Sequence, residues 1–203
     1  MKIFVFDTET TGFIDKNEKD LNKQPKIIQF AWILGELKNN EFKEEKRINI
    51  FINPKMPIPY GASQVNHIYD VDVKNAPFIE DKIDEIMSYI NAPDIIVGHN
   101  IEYDEDVLKL ELRRLGMEYR YQPKQVLCTM KETVNFCAIK WNGERFKFAK
   151  LGELHKKLFN EYFVWAHDAL TDVEATLRCF IELVKLWKMK VAETKEENIM
   201  SLF

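Results

Sequence analysis

Ile3-Phe4-Val5-Phe6 is a continuous apolar run that stops at two acids, Asp7 and Glu9, followed by a Thr10-Thr11-Gly12 turn. An apolar run without polar alternation marks a strand covered on both faces. Side chains alternate along a strand, so Ile3, Val5, Asp7 and Glu9 share one side. A buried strand thus ends in two carboxylates pointing the same way. Such a pair raises its own pKa values unless a cation or a hydrogen-bond donor intervenes. A strand that merely ends at the surface would show the same pattern, so this stretch alone leaves both readings open.

The pattern downstream predicts strands over 27–37, 47–53 and 94–98, a short strand near Val126-Leu127, helices over 77–91 and 100–115, and further helices to the C-terminus. Three strands before the first long helix imply antiparallel hairpins, and the later strand–helix alternation implies parallel pairing. The expected class is α/β, a mixed sheet flanked by helices. Residues 15–26 form a charged insertion without apolar periodicity, either a rim of the cleft or a tolerated loop.

Two more acids stand at element ends. On the helix that Asn100 can cap, Asp104 heads a stripe continued by Leu108, Leu112 and Leu115. Glu102, Glu105, Asp106 and Glu111 read as solvated. Asp168 is a candidate N-cap for the last helix, whose stripe is Val173, Leu177, Phe180, Val184 and Trp187, with Asp172 beside it in the first turns. A carboxylate there is favoured by the helix dipole in any case. Jointly, Asp7, Glu9, Asp104 and Asp172 offer the hard oxygen ligands that magnesium and manganese prefer. Cys128, Cys137 and Cys179 are too widely spaced to compete as a metal cluster.

Read in order, Asp7-Thr8-Glu9-Thr10-Thr11-Gly12, His99-Asn100-x-x-Tyr103-Asp104 and His167-x-Ala169-x-x-Asp172 resemble the three motifs of the DEDDh exonucleases. These are the proofreading-type 3′-to-5′ exonucleases of the ribonuclease H-like superfamily. The resemblance runs from Ile3 to about Trp187. Val65-Asn66-His67-Ile68 stands where the family carries an x-His-Gly-Ile segment, with Tyr69 in place of the following glycine, and Leu151-Gly152-Glu153-Leu154 resembles the helix before the third motif. The resemblance implies a ribonuclease H-like fold, two Mg2+ or Mn2+ ions and a role for each motif residue. Asp7 would bridge the two cations, Glu9 and Asp172 would complete the site of the cation that activates water, Asp104 would serve the second, and His167 would be the general base. Thr10, Thr11 and Tyr103 adjoin these positions as candidates for gripping the terminal nucleotide, and His67 would approach substrate through its loop. His99 is either a donor behind the ligands or a structural histidine, and His155, in a lysine-rich helix, reads as solvated.

The net charge of −4 runs against the basic patches usual in nucleic-acid binders, but the catalytic acids contribute to it and bound cations would offset them. Basic clusters remain, including one from Lys140 to Lys150 interleaved with Trp141, Phe146 and Phe148. It would either meet a single strand by charge and stacking, or form a hairpin around Asn142-Gly143 with its aromatics turned to the core. No apolar run is long enough to span a membrane, no signal peptide precedes the first strand, and cysteines are few, which together point to the cytoplasm.

The sequence therefore reads as an exonuclease domain over 1–190 and a tail over 191–203. The expected activity is 3′-to-5′ hydrolysis of single-stranded or frayed DNA ends, in proofreading or repair. An exoribonuclease, and a non-catalytic polymerase-associated subunit, are the alternatives. The tail, with Met200, Leu202 and Phe203, resembles the short Gln-Leu-Ser-Leu-Phe motif that docks bacterial replication proteins on the sliding clamp, although Ile199 stands where the glutamine belongs. It would dock there or on a polymerase, or pack on the domain itself.

Overall fold

The computed structural model describes residues 1–143, 145–161 and 167–186. Trp187 and the 191–203 tail, with Met200, Leu202 and Phe203, lie outside the described residues. In chain order the elements are β1 (Lys2–Thr10), β2 (Ile27–Lys38), β3 (Glu41–Phe51), α1 (Tyr60–Asn66), α2 (Asp70–Val73), α3 (Ile79–Ile90), β4 (Ile95–Gly98), α4 (Ile101–Arg114), β5 (Val126–Cys128), α5 (Thr129–Glu132), α6 (Val134–Cys137), α7 (Leu151–Phe159) and α8 (Ala169–Lys185). Short 3-10 turns at Leu21–Lys23 and Glu118–Arg120 interrupt the loops.

The sheet order is β3-β2-β1-β4-β5. β1 pairs antiparallel with β2, and β2 with β3, whereas β1–β4 and β4–β5 are parallel. This is the expected mixed sheet, and it is α/β. β3 begins at Glu41, earlier than its apolar residues announce, because its outer half is a polar edge paired to β2. The short helices α1 and α2 were not anticipated.

β1 lies at the centre of two cores. Ile3 and Val5 pack with Ile95, Val97 and the α8 residues Val173 and Phe180. Phe4 and Phe6 pack with Phe30, Trp32, α3 and the α4 residues Ile101, Val107, Leu108 and Leu112. α4 and α8 therefore cover opposite faces of the sheet, as the apolar run requires. Gly98 lets α4 start directly at the sheet edge, since a Cβ there would stand 2.4 Å from Ile101 Cδ1. Among the described residues no helix is long and apolar enough to cross a membrane.

Two buried groups depart from expectation. Glu111 is 2% exposed, not solvated. It accepts from the Ile27 N–H (3.0 Å) and pairs with Arg114 (2.8 Å). Arg114 in turn donates to the carbonyls of Leu21, Gln24 and Pro25, so the 15–26 insertion is pinned to α4. His155 is also buried, against Phe159 and Arg178.

Candidate active site

The acidic end of β1 lies where the two helical layers meet. Parallel pairing of Val5 with Val97 carries β4 to its end beside Asp7 and lets α4 begin there. Asp104 reaches in from the α4 layer. It is 4% exposed, and its Oδ1 accepts both the backbone N–H (2.9 Å) and the hydroxyl (2.7 Å) of Thr8. Asp172 comes from the first turns of α8, on the other face. The cap of that helix is as expected: Asp168 accepts the Thr171 N–H at 3.0 Å. Gln29 on β2, paired with Glu9 in register, donates to Asp168 Oδ2 (2.9 Å) and accepts the Ala169 N–H (3.1 Å), locking the start of α8 to the sheet.

His167 precedes this cap in the left-handed conformation (φ 73°). Its backbone N–H donates to Asp172 Oδ2 (3.0 Å). One ligand atom each from Glu9, His167 and Asp172 lie within 4.8 Å of one another, and this is the one such group among the described residues. Asp7 and Asp104 stand outside that trio but within electrostatic reach of it.

Burial and mutual repulsion set the electrostatics of these carboxyl groups. Burial first, then Asp104, Asp172, Glu9 and Asp168, hold the Asp7 carboxyl well above the usual range. Burial, with Asp172, Asp104 and Asp168 behind it, lifts Glu9 to about 8, opposed by a hydrogen bond from Asn66. Burial raises Asp104 to about 7 against the two Thr8 bonds, and raises Asp172 to about 6 against the His167 N–H. Asp168 is partly buried too, yet the hydrogen bonds from Gln29 and Thr171 keep it below the usual value, so it remains an ionised cap. Asp172 Oδ1 is buried with no hydrogen-bond partner. An orphaned carboxylate oxygen beside three other acids and an imidazole is a donor set that fits a hard divalent cation.

The remaining candidates divide. Tyr103 OH lies 2.6 Å from the Gly12 carbonyl and 2.8 Å from the Thr10 hydroxyl, which is itself 2.8 Å from that carbonyl. Thr11 accepts the Lys26 N–H through its hydroxyl at 2.9 Å. Both threonines are buried, so they shape the turn after β1 and their hydroxyls are already engaged. His67 is exposed at the left-handed C-terminus of α1. Its neighbour Asn66, not anticipated, is the residue that reaches the site: it donates to the Thr10 carbonyl (3.2 Å) as well as to Glu9. His99 bridges the Thr129 hydroxyl and the Ala149 carbonyl (both 2.9 Å). Burial drops it to about 4, so it is a neutral structural histidine. Phe13, also missed, projects from the turn 87% exposed, edge-on to Tyr103.

The family model described as Exonuclease (RNase T) matches residues 4–180. The 3′-5′ exonuclease DinG of Bacillus subtilis is 30% identical over 184 residues, 91% of this chain and 18% of that protein. A PolC-type DNA polymerase III of Caldanaerobacter subterraneus is 26% identical over 96% of this chain and 12% of its own length. The chain thus spans less than a fifth of these relatives. E. coli Exonuclease I in complex with a dA16 oligonucleotide superposes with a TM-score of 0.69 at 19% identity, covering 91% of this chain and 41% of that one, a likeness of fold. With the family match running over most of its length, the chain belongs to the exonuclease family.

Proposed function

We propose that the chain is a metal-dependent 3′-to-5′ exonuclease that hydrolyses phosphodiester bonds at single-stranded or frayed DNA 3′ ends and releases nucleoside monophosphates. The observation that carries this reading is the gathering of Glu9, His167 and Asp172 within 4.8 Å, with an unpartnered Asp172 oxygen among acids that burial and mutual repulsion keep hard to ionise. The names of the two relatives, a 3′-5′ exonuclease and a DNA polymerase III, support the polarity, the DNA substrate and a setting in replication or repair.

Asp7, Glu9, Asp104 and Asp172 would hold two Mg2+ or Mn2+ ions. Bound there, the cations would supply Lewis acidity to the attacking water and to the departing 3′ oxygen. The chain's own residues do the rest. Thr8 fixes the Asp104 carboxylate from two directions, so that it enters the site oriented. The backbone N–H of His167 occupies one Asp172 oxygen and leaves the other free. The His167 imidazole, exposed to solvent beside Glu9 and Asp172, takes the proton of the attacking water and can pass it to bulk. Tyr103 and the turn it braces form the wall beside the terminal nucleotide, and exposed Phe13 offers a face on which a base can stack.

Matched DNA and RNA oligonucleotides, labelled at either end, test the proposal. The expected result is stepwise release of 5′-mononucleotides from the 3′ end of DNA, dependent on Mg2+ or Mn2+ and stopped by chelation. Failure to degrade any strand with either metal would refute it, and preference for RNA would refute its substrate.

A further inference from the structure

Outside the acid cluster, one exposed surface has no role so far. Residues 139–143 and 145–148 pair as the two arms of a small hairpin between α6 and α7. Lys140 bridges to Phe146, the Trp141 N–H donates to the Arg145 carbonyl (3.0 Å), and the Lys147 N–H donates to the Ile139 carbonyl (2.9 Å). Its aromatics do not turn to the core, as one sequence reading allowed. Trp141 is 72% and Phe148 54% exposed, and Phe146 is exposed as well. Exposed rings grouped on so short a hairpin are costly to leave in water without a partner. Lys140, Arg145 and Lys150 are exposed around them, while Lys147 is tied to Glu153 (2.7 Å).

The hairpin is anchored at the catalytic end of the sheet. It leads into Ala149, which is buried and whose carbonyl accepts a hydrogen bond from His99 Nε2 at 2.9 Å. His99 stands two residues past Val97, and Asp7 stands two residues past Val5, its partner in the parallel register. The base of the hairpin is therefore held to the residue that follows β4, the strand beside β1, at the end of the sheet where Asp7 lies. Resting on the exonuclease reading above, we infer that this hairpin is a second contact for the substrate. It binds the single strand a few nucleotides from the 3′ end being cut, with bases stacked on Trp141 and Phe148 and phosphates beside Lys140 and Arg145. Rings alternating with cations complement a chain whose bases alternate with phosphates, a pairing that stacks any base and so suits a strand moving through the site.

The test uses a Trp141→Ala/Phe148→Ala variant, a Trp141→Phe variant and a Lys140→Ala/Arg145→Ala variant of the full chain. Affinity for a long single-stranded oligonucleotide is read by fluorescence anisotropy in EDTA, where nothing is cleaved. Turnover of thymidine 5′-monophosphate p-nitrophenyl ester, too small to reach the hairpin, reports the catalytic site with metal present. The double aromatic variant should bind the strand about tenfold more weakly for each ring lost, with ester turnover within twofold of the parent. Trp141→Phe should restore most of the binding lost at that position. The basic-pair variant should lower the slope of log affinity against log salt by about 1.4. Unchanged strand affinity in the aromatic variant would overturn the inference. So would an equal loss of ester turnover, which would make the hairpin a support for the fold. A parent protein that cleaves neither an oligonucleotide nor the ester but binds the strand through these rings would refute the exonuclease reading, and would keep the hairpin as a single-strand contact while overturning its role at an end being cut.

Discussion

Replacing Glu9 with Gln should stabilise the metal-free protein, and more so at higher pH. Burial, reinforced by Asp172, Asp104 and Asp168, raises the Glu9 carboxyl from 4.5 to about 8. A carboxyl raised by folding favours the folded state only while protonated. Its contribution is intact below about 4.5 and is lost as pH rises through about 8. From those two values, the penalty for Glu9 is about 1 kcal/mol at pH 5 and about 4 kcal/mol at pH 8. The amide keeps the shape and can still accept from Asn66, but its own desolvation and the relaxation of neighbouring acids offset part of the gain. A net gain of about 2 kcal/mol at pH 8 is therefore expected, equivalent to roughly 4–8 °C in Tm for a chain of this size. Thermal melts of both proteins in EDTA at pH 5 and pH 8 provide the measurement. Saturating Mg2+ should then reverse the order, because cations stabilise the parent by binding its folded state and Glu9→Gln lacks one ligand. An equal gain at both pH values, or no gain at pH 8, would refute the argument that repulsion within this cluster is what the cations relieve.

Other changes follow from the same geometry. Asp7→Ala should abolish hydrolysis while leaving a folded protein whose metal-free Tm is no lower than the parent's, and normal turnover by that protein would remove Asp7 from the site. His167→Ala should lower kcat by about 10²–10⁴-fold if the imidazole is the general base. Calorimetric titration should show metal affinity changing far less, because four carboxylates remain. Arg114→Ala should cost about 3–5 kcal/mol in urea unfolding, since it strands the buried Glu111 charge and frees three carbonyls of the 21–25 loop. A loss below about 1 kcal/mol would place that pair among ordinary surface ion pairs.

Much of this protein was legible locally. The β1 run, the α4 stripe behind Asp104, the Asp168 cap and the α8 stripe from Val173 to Val184 are short-range patterns, and each appears as read because burial on a helix or strand repeats with that element's own period. The three motifs also singled out Glu9, His167 and Asp172, whose ligand atoms the structure draws within 4.8 Å of one another, with Asp7 and Asp104 in electrostatic reach. What stayed hidden depends on partners far away in the chain. Glu111 looked like one more surface acid of α4 until the β2 backbone and Arg114 closed around it. His155 looked solvated until α8 brought Arg178 against it. Thr10 and Thr11 looked free to hold a nucleotide, but Tyr103 and Lys26 engage their hydroxyls. Asn66 carried no signal, because only the packing of α1 against the turn after β1 aims its amide at Glu9. The hairpin aromatics were ambiguous for the same reason, as a ring's spacing in a short loop does not say which side the core lies on. The sequence by itself determined the main strands and long helices and the acids that stand at their ends, because periodicity and capping are set by neighbours along the chain. The tertiary structure alone decided which polar groups are already engaged and which are left for a ligand, because that depends on groups tens of residues apart meeting in a low-dielectric interior, where an unmet donor or charge is too costly to leave.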